Sequence, residues 1–312
     1  MLTVIPIVLP IFALILAGWV ARRIGILGPH ATGELNRFVV YLALPALLFD
    51  IVAKARWSEI WQPGFIAAFS VGAGFIFLLT VVVRLRGPRH LADATIDGLN
   101  AAYANTGFIG FPLAAAVLGN GALAPTLIAT ILTVCVLFAV ALILIEIGIQ
   151  TERHPRRMAM KVAKSLGSNP LLIAPLVGGV FLAFGVPTPA PLERFVTLLG
   201  GAASPCALVA LGLFLAEKRE GTRAPGSAVA VMVALKLLVQ PMMTWLLAAW
   251  VFHLSPLLIH TAVLMAALPT GTGPFMVAEF YRREAGITSR AVLISTIISV
   301  LTITAYLALA IT

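Results

Sequence analysis

Apolar residues in this chain come in long uninterrupted runs. Stretches of Leu, Val, Ile, Ala, Phe and Met are separated by short segments rich in Arg, Lys, Gly and Pro. A bilayer core of about 30 Å needs roughly 20 helical residues to cross it. Hydropathy and turn residues then predict ten spans, at 2–20, 36–53, 63–83, 98–118, 124–146, 169–185, 195–216, 227–252, 257–280 and 289–311. The first run, 1–21, carries no charge and is closed by Arg22 and Arg23. A secretory signal peptide has the opposite order, with its charges before the apolar run, so a retained first helix is expected.

Composition agrees with the pattern. Of 312 residues, 61% are hydrophobic and 11% charged, and the mean hydropathy is +1.05. These values exclude an ordinary soluble globule and predict an all-α polytopic membrane protein. The net charge of +9 would point to nucleic acid in a soluble chain. In a membrane protein, basic loops set orientation and meet anionic lipid, so membrane lipids are expected partners and nucleic acid is not. Cys135 and Cys206 lie in apolar runs and read as small packing residues.

Orientation follows from the loop cations, which stay cytoplasmic. With the N-terminus outside, 17 of the 21 Lys and Arg fall on the inner side; Lys54, Arg56 and Arg194 fall on the outer side, and Lys236 lies within a span. The chain therefore reads as multi-pass in the bacterial inner (plasma) membrane, with N- and C-termini outside. The longest loop, 151–165, separates five spans from five. An odd number per half inverts the second half, which predicts an inverted repeat: 1–150, a cytoplasmic connector at 151–168, and 169–312. Residues support the pairing. LNRFV (35–39) enters span two and LERFV (192–196) enters span seven, with Pro45 and Pro205 following. YANTGFIGFP (103–112) in span four matches LPTGTGPF (268–275) in span nine, setting Thr106-Gly107 against Thr270-Gly271.

Those last two segments carry the candidate chemistry. Pro269 should stop the helix that begins near Leu257, Gly271 and Gly273 admit backbone conformations closed to other residues, and Pro274 suits the first turn of a new helix. Span nine thus reads as helix, break, helix, and span four offers Asn105, Thr106, Gly107, Gly110 and Pro112 at the matching depth. Broken backbone survives in a membrane only where protein or water covers it. Each break presents amides that suit a carboxylate and carbonyls that suit a cation or hydroxyl, so Pro269, Thr270, Gly271 and Thr272 join the candidate substrate-binding residues. Lys236 lies well inside span eight with Gln240 one turn on. Three readings stay open for it: snorkelling to the head groups, counter-charge for an anionic substrate, or an internal partner for an acid such as Asp50. Asp50 and Glu146 read as interfacial. His30, His90, His154, His253 and His260 form no metal-binding pattern, and there is no phosphate-binding loop or catalytic constellation. No enzyme, resident metal or cofactor is expected.

NRFVVYLALPALLF, YANTGFIGFPLAAAVLG, NPLLIAPLVGGV (169–180) and the span-nine break together resemble the bacterial branch of the auxin efflux carrier family over essentially the whole chain. The resemblance implies ten helices in two inverted five-helix repeats, a fold shared with bile acid sodium symporters, with broken helices four and nine crossing at the substrate site. Asn105, Pro112 and Pro269 would sit at that crossover. Spans one, two, six and seven would form a scaffold that dimerises, making the protein a homodimer. Spans three to five and eight to ten would form a transport domain that moves like an elevator. The short midpoint loop sets the chain apart from plant members, and the substrates implied for bacterial ones are organic acids such as malate or malonate.

The function expected from sequence is therefore secondary transport of a small organic anion. An inside-negative potential is worth about 2.3 kcal/mol per charge per 100 mV, which favours export; import would need Na+ or H+ as coupling ion. A sodium- or proton-coupled symporter is the alternative within transport, and a channel or receptor-like protein the alternative outside it.

Overall fold

The computed structural model describes residues 5–150, 155–217 and 226–310. The start of the first predicted span and the loop cations Arg153, Lys218, Arg219 and Arg223 lie outside the described residues. The fold is all helical: α1 (Ile5–Arg23), α2 (Ala31–Ala53), α3 (Pro63–Leu85), α4 (Leu91–Ala102), α5 (Thr106–Leu118), α6 (Asn120–Ile149), α7 (Pro155–Gly167), α8 (Pro170–Phe184), α9 (Ala190–Ala216), α10 (Gly226–Val251), α11 (Pro256–Ala267), α12 (Gly273–Phe280) and α13 (Ala285–Ala310).

The expected ten spans in two inverted five-helix repeats do not hold. Among the described residues six helices are long and apolar enough to cross a membrane (α2, α3, α6, α9, α10 and α13), or seven if the 68° bend between Met160–Gly167 and Pro170–Phe184 lies within one span. The reason is physical. The windows 98–118 and 257–280 each hold two short helices; α4 and α11 have 12 residues apiece, about 18 Å of helix against a core of about 30 Å. The connector differs too, since 155–167 is helical.

Packing divides the helices into two groups. In one, α1 lies along the second half of α9, and α8 and the start of α9 lie along α2. Glycines make these contacts close: Gly18 faces the Val209 backbone, Gly212 faces the backbone of Ile15 and Trp19, and a Cβ on Gly178 would come within 2.8 Å of the Phe49 carbonyl oxygen. Small residues of this kind let helices associate where no water drives them together. In the other group α3, α4 and α6 pack with α10, α11 and α13, around buried Phe65, Phe69, Phe77 and Phe138.

Three prolines share one local signature. Pro45, Pro112 and Pro241 each follow a π-helical turn, at Val39–Ala43, Thr106–Gly110 and Leu235–Val239. The proline ring clashes with the carbonyl four residues back, and widening the preceding turn relieves that clash.

At one end of the second group a charged cluster ties α3, α4 and the α12–α13 corner. Arg84 donates to the fully buried Asp97 at 2.6 Å, Arg283 grips Asp93 with two bonds at 2.6 and 2.8 Å, and Arg89 donates to Glu284 at 2.5 Å. Arg282 and Glu284 turn that corner with φ of 53° and 55°. Burial first, then the charge of Asp97, pushes the Glu284 carboxyl above its usual range against the pull of Arg89. Glu146, near the end of α6, is buried and accepts from Tyr281 at 2.6 Å and Ser165 at 2.8 Å.

Candidate functional site

The two breaks lie side by side and pair. α4 ends at Ala102, Tyr103 is extended, and the chain re-enters helix at Thr106; α11 ends at Ala267, Leu268 is extended, and α12 begins at Gly273. Ala104 and Thr270 form an isolated antiparallel bridge. The Asn105 amide donates to the Pro269 carbonyl at 2.9 Å, and the Gly271 amide donates to the Tyr103 carbonyl at 3.1 Å. Each break thus supplies part of the backbone pairing that the other lost, which is what the interior of a membrane protein demands.

Side chains complete the accounting at the ends of α4 and α11. Thr270 Oγ1 donates to the Asn100 carbonyl at 2.8 Å, Gln240 Nε2 to the Ala102 carbonyl at 3.1 Å and Lys236 Nζ to the Ala266 carbonyl at 2.6 Å. The Thr270 amide donates to Ser295 Oγ at 3.1 Å, and Asn100 Nδ2 to Thr288 Oγ1 at 3.0 Å. Lys236, Gln240 and Thr270 are all fully buried.

The starts of α5 and α12 are different. The amides of Gly107, Phe108, Thr272 and Gly273 have no hydrogen-bond partner among the described residues, and neither does the Asn105 carboxamide. All five residues line a cavity of about 40 Å³. Its opposite wall is made by Val39, Leu44 and Leu47 of α2 and Ala203, Ser204 and Ala207 of α9, so it lies between the two packing groups. Such a volume holds a few waters.

A model of the membrane transport protein family matches residues 3–307. The chain belongs to that family. A "Putative malonate transporter" of Rhizobium meliloti is 34% identical, over 96% of this chain and 93% of the relative. Auxin efflux carrier component 8 of Arabidopsis thaliana is 22% identical, over 92% and 91%. The lysosomal cholesterol signaling protein of Mus musculus is 24% identical over 94% of this chain but only 36% of its own length. The match establishes the broad transport family; the narrower auxin carrier resemblance rests on lower identity than the match to the Rhizobium protein.

The membrane transport fold brings only part of the predicted set to the cavity. Asn105, Gly107 and Thr272 line it; Thr106 is fully buried with Oγ1 unpartnered, and Pro112 is exposed away from the lining. Gly110 packs under Met265, with a Cβ there 3.0 Å from the sulfur. Pro269, Thr270, Gly271, Lys236 and Gln240 hold the crossover together and do not line the cavity. Lys236 does not snorkel. The glycines also differ from expectation: neither Gly271 nor Gly273 has a positive φ. They are required by close approach, since a Cβ on either would come within 2.8 Å of the Tyr103 ring. Sequence reasoning missed Asn100 and Ser295. Both are polar residues in apolar helices, and that polarity was the available signal.

Proposed function

We propose that this chain is a secondary carrier of a small organic anion, with carboxylates and dicarboxylates such as malonate as its substrate class. The observation that carries the reading is the set of unpartnered donors around the cavity at the paired breaks. Amides at helix starts attract anions, and the Asn105 carboxamide adds a directional donor. Asn105, Gly107, Thr272 and Gly273 contact the substrate, whereas Lys236, Gln240 and Thr270 position the crossover. The name of the Rhizobium relative points to the same class.

The cavity's place between two packing groups supports alternating access by movement of one group against the other. An inside-negative potential drives an anion out of the cell. The test begins with melting temperatures of the purified protein against a panel of organic acids. Flux of the acid that stabilises most should then saturate and show counterflow; flux at channel rates without counterflow contradicts a carrier.

A further inference from the structure

Helix C-termini concentrate partial negative charge on their last carbonyls. In carriers built from interrupted helices, such ends are where coupling cations bind. Two such ends meet at this crossover, and the protein treats them differently. The Ala102 carbonyl accepts from the neutral amide of Gln240, and the Ala266 carbonyl accepts from the ammonium of Lys236 at 2.6 Å. Lys236 is fully buried and, among the described residues, makes no ion pair. The ionisable groups on the helices packed against it are engaged elsewhere: Asp97 with Arg84, Asp93 with Arg283, His260 with Tyr306, and Arg290 with the Gly286 carbonyl. One turn along the same face, Gln240 Oε1 is buried and has no partner.

We infer that Lys236 is a tethered cation: at the Ala266 carbonyl its ammonium takes the place of a coupling sodium ion, so that anion transport through this crossover runs without sodium. This rests on the carrier reading and deepens it. A cation that belongs to the chain supplies the charge the half-helix end requires, yet is never released to either side of the membrane. Removing it leaves the Ala266 carbonyl and Gln240 Oε1 as oxygen ligands for a small monovalent cation.

Malonate flux into proteoliposomes of the full chain, in sodium or in choline medium, gives the first test. The wild type is expected to run equally in both, and a wild type that requires sodium overturns the inference. In choline, Lys236→Ala should lose about 10- to 100-fold in rate, the worth of a hydrogen bond from a charged group, and should recover in sodium or methylammonium. A loss that neither cation restores in a folded variant also overturns it. If the alanine variant does not fold, Lys236→Gln, which keeps a donor but no charge, is expected to show the same sodium response. A second readout needs no transport: sodium or methylammonium should raise the melting temperature of the variant and leave the wild type unmoved, and absence of that difference sinks the tethered cation. If the melting pattern holds while the wild type carries no carboxylate in any medium, the tethered cation stands and the carrier reading is what fails.

Discussion

The two ends that meet at the crossover solve one problem with different chemistry. At the end of α4 the exposed carbonyls are met by a threonine hydroxyl and a glutamine amide; at the end of α11 the bond comes from a lysine ammonium. Satisfying a backbone carbonyl needs only a donor, and a neutral one suffices at Ala102. A positive charge in a dry interior costs several kcal/mol by most accounts, and the use of lysine at Ala266, where a neutral donor would satisfy the carbonyl, is the difference that the tethered-cation proposal accounts for. The starts of α5 and α12 show the converse: their amides are left without protein partners where the cavity opens.

Forcing the breaks apart should have the largest effect on stability. Gly271→Ala puts a methyl into the Tyr103 ring, and overpacking of this kind costs about 1–3 kcal/mol. The melting temperature should fall, and pairing the change with Tyr103→Ala should recover part of it; no recovery would place the strain elsewhere. Gln240→Leu removes the neutral donor at Ala102 and should cost about 1 kcal/mol, with no cation response in flux or melting. A sodium response in this variant like that of Lys236→Ala would erase the distinction between the two ends. Smaller still, Thr270→Val breaks the bond to Asn100 and should lower stability by about 1 kcal/mol or less while leaving substrate affinity alone. A large rise in KM with unchanged melting would instead put Thr270 in contact with substrate.

How much of this was legible in the sequence differs from residue to residue. The second break could be placed from Pro269 and its glycines because proline and glycine act locally. The first was placed only by matching the halves, since Tyr103, Ala104 and Asn105 carry no breaker. The helix before it was cut short at 98, whereas α4 starts at Leu91. Asp93 and Asp97 interrupt the apolar pattern of its first turns, and the arginines that pair with them lie 190 and 13 residues away. Ten spans were expected for a related reason: a hydropathy window joins the two short arms of each broken segment and cannot register a break that the fold seals from outside. Lys236 stood out as a charge in a span, but its partner is a backbone carbonyl 30 residues on, which no side-chain pattern encodes.

The central claim is that a carboxylate binds at the cavity beside the paired breaks. Malonate counterflow in proteoliposomes, comparing the wild type with Asn105→Ala, tests it most directly. The account predicts saturable counterflow in the wild type, a KM raised by about two- to tenfold in the variant for the loss of one hydrogen bond, and melting temperatures that agree. Equal KM values in two folded proteins, or a wild type with no counterflow for any organic acid, would contradict it.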